Sequence, residues 1–478
     1  MVVSSISTYF RHIHPWLPFL DAQGVLADLA AVREPSLLHH AIFGAALPFL
    51  HDPRLDQLSS DAFWKYTKRR IFNETAEEPS YASLEAATVL CLDLSGMTNG
   101  PQVWSRLAMV ASLASQLRRT RGGLILRQNV QEATTGVGRS GHGEKPNSLQ
   151  HARLFWAIYA LDTYISLTTG QPGRTSDLDL RCFLPTREAA WNTQEATSLP
   201  SPSNLFLLQL QLLDLARQTH GVYLDFLTLV EGGNDQTPEA WVDSVSLCSR
   251  ELSSWLNGLP PEISVASSGI PPAAAMLLTY IHALVVHLNG LIMSCNQTPH
   301  ASFISHIQQD AGEKCLQSIR IISEVTSQVM GIMDDQLGWP FTWTLWTAAR
   351  YLLAVAASEE RSTPPQEFQV LTSSLGRMGR FWQISKKYWM LLRRAEAALH
   401  TRSSSEETPD GPDILSSVVN LAYLRRTLRI SSALTPCCLV PRKKPLVLLL
   451  LQVLRVRLGC SVQLCRPSRS LRRPRWPR

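Results

Sequence analysis

Paired cysteines of the C-x-x-C type are absent from this 478-residue chain. Its nine cysteines do not form two pairs that could converge on one ion, which excludes the common zinc-binding frameworks. A chain of this length without a disulfide-dense module is typical of a reducing compartment. We therefore expect the cysteines of the body to be buried as small apolar residues.

The chain also lacks the G-x-S-x-G, H-E-x-x-H and P-loop patterns. Gly136, Gly138 and Gly141 match a dinucleotide fingerprint in letters, but the site needs a preceding strand and a following helix, and polar segments flank them here. His282 and His287 are five residues apart, which is not the spacing of a helical zinc pair. We therefore assign no catalytic, cofactor-binding or metal-binding residue and do not expect an enzyme.

Long hydrophobic runs are equally scarce. The longest, LVLLLLQVL at 446–454, is far shorter than the roughly 20 residues that cross a bilayer. The N-terminal MVVSSISTYFRHIHPW lacks the basic start and apolar core of a secretory signal. We expect no interaction with a membrane.

Acidic residues are missing from 414–478, which contains fourteen Lys and Arg. Removing these from the 45 basic residues leaves 31 against 39 acidic residues in 1–413, so the body is mildly acidic. Two interpretations of 414–478 stay open: a disordered basic tail for nucleic acid or nuclear import, and a segment from a mispredicted exon or a shifted frame. Any DNA affinity should reside in this tail and be non-specific.

Apolar residues recur with a helical period over most of 1–400, and strand-like alternation is scarce. The pattern predicts an all-α fold, an irregular bundle of helical hairpins around a buried core. It predicts a hairpin over 83–118, an exposed loop over 127–149, and helices over 204–230, 238–257, 272–295, 301–331, 341–357 and 366–400. The composition of 401–413 indicates a linker.

The stretch ARLFWAIYALDTYISLTT, residues 152–169, is apolar on so many sides that it predicts a buried helix. Gly170 and Pro172 supply its end. Asp162 lies in its middle, where a buried carboxylate needs a donor. We expect that donor to be Arg153 on a neighbouring turn or a residue of another helix, and we favour this structural role over that of a catalytic acid.

Three segments resemble, in order, the middle homology region of the fungal zinc-cluster transcription factors. They are YFRHIHPWLPFLD at 9–21, the hairpin at 83–126, and ARLFWAIYALDTYISLTTGQPGRTSDLDLRCFLP at 152–185. The resemblance covers roughly 9–360 and is strongest over 9–185. The residues at the positions of the family signature are Arg153, Phe155, Trp156, Asp162, Gly170, Pro172, Asp177, Asp179 and Pro185.

The resemblance implies an all-α regulatory domain over 1–400 and a nuclear role in transcription, controlling a catabolic or secondary-metabolite gene set. It implies other transcription proteins or a homodimer partner, and a small-molecule effector. Family members usually carry six cysteines around two zinc ions ahead of this region. This chain shows no such cysteines, so we expect it to bind neither zinc nor a specific DNA sequence, and to reach DNA only indirectly or through its tail.

Two alternatives stay open beside this interpretation. The first is an all-α enzyme or small-molecule-binding protein with a pocket between helices. The second is a nucleic-acid-binding protein that works through its basic tail.

Overall fold

Helices make up nearly all regular structure in the described part of the chain. The computed structural model describes residues 2–31, 34–50, 52, 57–135, 145–175, 190–191, 202–230, 238–263, 269–293, 301–404 and 418. Within these ranges there are fourteen α-helices and no strand, which confirms the all-α prediction.

The first seven helices are α1 (Val2–His12), α2 (Ala22–Ala31), α3 (Leu37–Ala46), α4 (Gln57–Glu77), α5 (Tyr81–Met97), α6 (Pro101–Thr135) and α7 (Lys145–Thr169). The next seven are α8 (Pro202–Val230), α9 (Pro238–Asn257), α10 (Pro272–Met293), α11 (Ala301–Val329), α12 (Trp339–Ser358), α13 (Gln366–Met378) and α14 (Gln383–Ser404).

The core is built around α5, α7, α10 and α12, whose sequences are apolar on most sides and therefore require neighbours all round. Every residue of α12 from Trp339 to Leu353 is buried, including its polar side chains. α7 packs on α5, α6 and α8, while α10 packs on α8, α9, α11 and α12. α14 returns to α5, so the last described helix closes the bundle against an early one.

The His-Pro-Trp entry of the chain is anchored to elements far along the sequence. Trp16 is buried, and its ring meets that of Trp382 edge-on at 6.2 Å. Gly338, which precedes α12, makes this possible, because a Cβ there would lie 2.5 Å from the Trp16 indole. The start of the chain is thus packed against the beginnings of α12 and α14.

The structure differs from the sequence-based prediction in two segments, the loop predicted over 127–149 and the helix predicted over 366–400. α6 continues to Thr135 and α7 begins at Lys145, so 127–149 is not a loop throughout. The Leu, Gln, Glu and Ala residues of 124–133 favour helix enough to outweigh the cost of two glycines, about 1 kcal/mol each. The helix predicted over 366–400 breaks between Met378 and Gln383, where Trp382 turns inward and its Nε1 donates to the Leu337 carbonyl at 2.9 Å.

One described helix, Pro272–Met293 (α10), is long and apolar enough to cross a bilayer. However, 89% of that stretch is buried inside the protein. A central helix of a large bundle has the same composition, and the neighbours of α10 explain its apolar character.

Candidate functional site

Asp162 lies in the middle of α7 and is only 1% exposed. The segment after α7 turns back over its carboxylate. The backbone N–H of Arg174 donates to Oδ1 at 3.0 Å and to Oδ2 at 2.8 Å. The backbone N–H and the hydroxyl of Thr175 donate to Oδ2 at 2.8 and 2.6 Å. The buried carboxylate therefore fixes the path of the chain after the helix.

Arg217 of α8 supplies the positive charge, with its Nη2 2.8 Å from Asp162 Oδ2. Its Nε donates to the Thr163 hydroxyl at 2.8 Å, and its Nη1 donates to the Thr175 carbonyl at 2.7 Å. The guanidinium also lies 4.1 Å from the centre of the Tyr159 ring, in cation–π contact. One network thus joins α7, the following turn and α8.

Of the two donors expected for Asp162, a residue of another helix, Arg217, is the one found, and Arg153 is not its partner. Nine helical residues correspond to a rise of about 13 Å, which separates the two side chains along α7. Arg153 Nε instead donates to the carbonyl of Ala190 at 2.8 Å. The adjacent Trp191 donates its Nε1–H to the Pro18 carbonyl at 3.1 Å. These two bonds hold residues 190–191 between α7 and the start of the chain.

α7 ends where the sequence predicts. Gly170 has φ +63°, in the left-handed region that glycine tolerates best, and Pro172 follows it. A Cβ at Gly170 would also lie 3.1 Å from the Tyr223 hydroxyl. His220 Nε2 donates to the carbonyl of Gln171 at 2.7 Å, so α8 holds this turn at a second point.

The other signature residues in the described part of the chain are packing residues. Phe155 meets the ring of Tyr81 edge-on at 6.3 Å, and Trp156 meets that of Tyr159 at 5.7 Å. Asp177, Asp179 and Pro185 lie outside the described residues.

The chemistry of the Asp162 network is that of a structural cross-link, which holds α7, the turn after it and α8 together. Both carboxylate oxygens already accept hydrogen bonds, and the group is buried with its cation. Such a pair resists separation because either charge left alone in the interior is costly. The arrangement orders the chain and presents no carboxylate to a substrate.

A second interior feature lies where α5, α6, α7, α12 and α14 meet. These helices line a cavity of about 10 Å³, roughly the room needed by the centre of one water molecule. Trp339 and Trp343 of α12 line it on one side, and Tyr388 of α14 on another. Both indole Nε1–H groups are buried without a hydrogen-bond acceptor among the described residues.

Hydropathy along the chain does not predict this cavity. The sequence WPFTWTLWTAAR at 339–350 lies at the start of the helix predicted over 341–357, and hydropathy treats an indole as apolar and ignores its N–H. The usable signal was the count of donors: a helix buried on all sides with three tryptophans must find an acceptor for each N–H.

Burial also controls the titration of histidines on α8 and α10. It lowers the pKa of His220 and of His282 to about 4, and that of His287 to about 3. The His287 ring lies 5.6 Å from that of Tyr223 and 6.0 Å from that of Trp343. These histidines are therefore neutral packing residues near pH 7.

No group of three His, Cys, Asp or Glu side chains that could hold a metal occurs within the described residues. Cys91, Cys248 and Cys315 are buried thiols, as expected for these three positions. The other cysteines lie outside the described residues.

A family model described as the fungal specific transcription factor domain matches residues 6–257. The match spans more than half of the chain and includes the His-Pro-Trp entry, the α5–α6 hairpin and the Asp162 network. The chain belongs to this family, which confirms the resemblance seen in the sequence, and its class is that of a fungal transcription regulator. No curated protein and no solved structure matches it.

Proposed function

We propose that residues 1–400 form the helical regulatory module of this transcription regulator and act in the nucleus on a catabolic or secondary-metabolite gene set. The observation that carries the proposal is the family match over residues 6–257. The contacts of Trp16 with Trp382 and Gly338 support an extension to α12 and α14, because the matched entry is packed against them. Residues 401–413 then link this module to the tail.

In this role the module reaches DNA through other transcription proteins or a homodimer partner, or non-specifically through 414–478. The acidic balance of 1–413 supports an indirect route, since such a surface repels a phosphate backbone. We assign the chain no zinc and no catalytic step.

A tethering experiment tests the regulatory role. The full chain is fused to a heterologous DNA-binding domain, and transcription of a reporter with the matching operator is measured in a fungal host. We expect the fusion to change reporter output several-fold relative to the DNA-binding domain alone. Asp162→Ala should reduce the change because it weakens the packing of α7 on α8, whereas Asp310→Ala, at an exposed ion pair with Lys314, should retain it.

Unchanged output from a fusion that accumulates and enters the nucleus would refute the regulatory role. The nuclear assignment has its own test. A fluorescent fusion of the full chain should concentrate in the nucleus, and exclusion from it would count against this part of the proposal.

The second candidate is a helical protein that binds a small molecule, and one observation favours it. Trp339 and Trp343, whose buried N–H groups have no acceptor among the described residues, are both among the residues that line the cavity. This property is compatible with a transcription regulator that responds to an effector.

A further inference from the structure

Beyond Ser404 the structure describes a single residue, Val418, and its side chain is fully buried. Val418 belongs to the same hydrophobic core as the buried residues of α12 and α14. Its carbonyl accepts a hydrogen bond of 2.6 Å from Nε of Arg350 in α12. The chain therefore returns to the helical module after 401–413, whose composition predicts a linker.

Arg350 is suited to hold a peptide carbonyl. Its side chain is only 3% exposed. Burial lowers its pKa to about 10, against the opposing effect of Tyr223 and Tyr388, so the guanidinium is charged at neutral pH. A guanidinium has five N–H donors and no acceptor, and a buried one requires oxygen partners. The Val418 carbonyl supplies such an oxygen from a part of the chain 68 positions away.

The sequence around Val418 differs from both of its flanks. ILSSVVNLAYL, residues 414–424, contains eight apolar side chains and no charged one. The linker ahead of it is polar, and all fourteen Lys and Arg of 414–478 lie at or after Arg425. An uncharged apolar stretch gains free energy when it leaves water. The composition of 414–424 thus favours burial, in agreement with the observed burial of Val418.

We propose that α12 carries an intramolecular docking site around Arg350, and that its occupant is the segment 414–424, held through the carbonyl and side chain of Val418. The basic tail then begins at Arg425 and not at Ile414. The inference extends the helical module beyond residue 400 and does not depend on its regulatory role.

Docking limits how far the basic tail can extend from the module. A fully extended chain spans at most about 3.3–3.6 Å per residue. From a docked Val418, the chain to Arg425 reaches at most about 25 Å. From Ser404, with the site empty, it reaches at most about 75 Å. Occupancy of the site therefore determines whether the cations of the tail stay close to α12.

Cleavage of the linker in the full chain tests whether 414–424 stays docked without its covalent tether. A recognition sequence of the same length for a site-specific protease replaces 405–411, and the folded protein is cut after purification. Size-exclusion chromatography then shows whether the tail fragment elutes with the module. The column is run in about 1 M sodium chloride, where a Debye length of about 3 Å screens attraction between the basic tail and the acidic body.

Two substitutions of the same kind distinguish docking from general attraction. Val418→Asp places a charge at the buried position. Val440→Asp makes the same change within the basic tail and is the matched control.

A peptide with one altered bond tests the role of the Val418 carbonyl. Synthetic 412–424 is added to the cut protein, and displacement of the tail fragment is measured at increasing peptide concentration. In a second peptide an ester replaces the amide between Val418 and Val419, which makes the Val418 carbonyl a weaker acceptor and keeps both side chains. A third peptide carries the ester between Leu421 and Ala422 as the control.

We expect the tail fragment of the parent to elute with the module after cleavage. Val418→Asp should weaken its retention at least about tenfold, because an unpaired charge is costly to bury, and Val440→Asp should leave it unchanged. The ester after Val418 should make the peptide about fivefold less effective, as expected for one weakened hydrogen bond, and the control ester should have a smaller effect. Release of the parent fragment, equal retention of the two Asp variants, or equal potency of the two esters would overturn the inference.

Discussion

Replacing Asp162 by alanine tests whether its carboxylate stabilises the protein by holding α7, the turn after it and α8 together. The substitution removes five hydrogen bonds to the carboxylate from four donors: two backbone N–H groups, the Thr175 hydroxyl and Arg217. It also removes a negative charge 2.8 Å from Arg217, whose side chain is 18% exposed.

Breaking a buried pair costs 3–5 kcal/mol. The low end applies here, because Arg217 keeps its bonds to Thr163 and the Thr175 carbonyl and its contact with Tyr159. We expect a loss of about 3 kcal/mol in the free energy of unfolding. With an unfolding entropy near 2.1 cal/mol/K per residue and a cooperative unit of about 400 residues, the melting temperature should fall by about 4 °C.

Two further variants serve as comparisons. One removes the charge of Asp162 but keeps the size of its side chain, and the other removes an exposed ion pair instead of a buried one. Asp162→Asn keeps the size of the side chain but turns an amide NH₂ toward donors, so it should cost at least about 2 kcal/mol. Asp310→Ala removes an ion pair whose carboxylate side chain is 64% exposed, and it should cost at most about 0.5 kcal/mol.

The assay is a thermal melt followed by far-ultraviolet circular dichroism, supported by a urea titration. An Asp162→Ala protein whose melting temperature lies within 1 °C of the parent would refute the reasoning. It would mean that Arg217 and the backbone donors find other partners at no cost.

Three further outcomes are expected. Gly170→Ala should lose about 1–2 kcal/mol of stability in urea titrations, because φ +63° disfavours a Cβ, whereas Gly221→Ala on the open side of α8 should gain up to about 0.8 kcal/mol. Burial lowers the pKa of His287 to about 3, so this residue binds a proton below pH 6.5 only in the unfolded chain. It should contribute about 2 kcal/mol to the loss of stability between pH 7.5 and 5, and His287→Gln should reduce the pH dependence of the unfolding free energy by about that amount in melts at the two pH values. Any DNA affinity should decrease steeply with salt and vanish on deletion of 414–478; sequence-selective binding after deletion would contradict this.

Periodicity was sufficient to predict the helices of the core and the end of α7. α7 and α10 are apolar on nearly all sides, and Gly170 has the chemistry of a helix end, so these features depend on residues close in sequence. The break between α13 and α14 was not predictable in this way. It depends on the burial of Trp382 against Trp16 and the carbonyl of Leu337, which are distant in sequence.

The partners within the site could not be read from the sequence. Asp162 and Arg217 are 55 positions apart, and nothing in the local pattern of α8 marks Arg217 as a buried counter-ion rather than a solvated cation. The acceptor of a buried donor cannot be predicted from the local sequence either, because it depends on which helices pack together. Hydropathy therefore marks Trp339 and Trp343 only as apolar residues.

The Asp162 network and the indoles of Trp339 and Trp343 differ in whether their polar groups already have partners. This difference indicates which of the two would respond to a ligand. Asp162 is saturated, with donors from three directions, so a ligand there would have to break existing bonds to a buried charge. At Trp339 and Trp343 the balance is reversed, because an incoming acceptor would satisfy donors that now have none. Differential binding to two states is what shifts a conformational equilibrium, and a ligand that reached these two indoles would gain bonds without the loss of old ones. If this regulator responds to an effector, the response should therefore begin at α12 while the Asp162 network keeps α7 and α8 together.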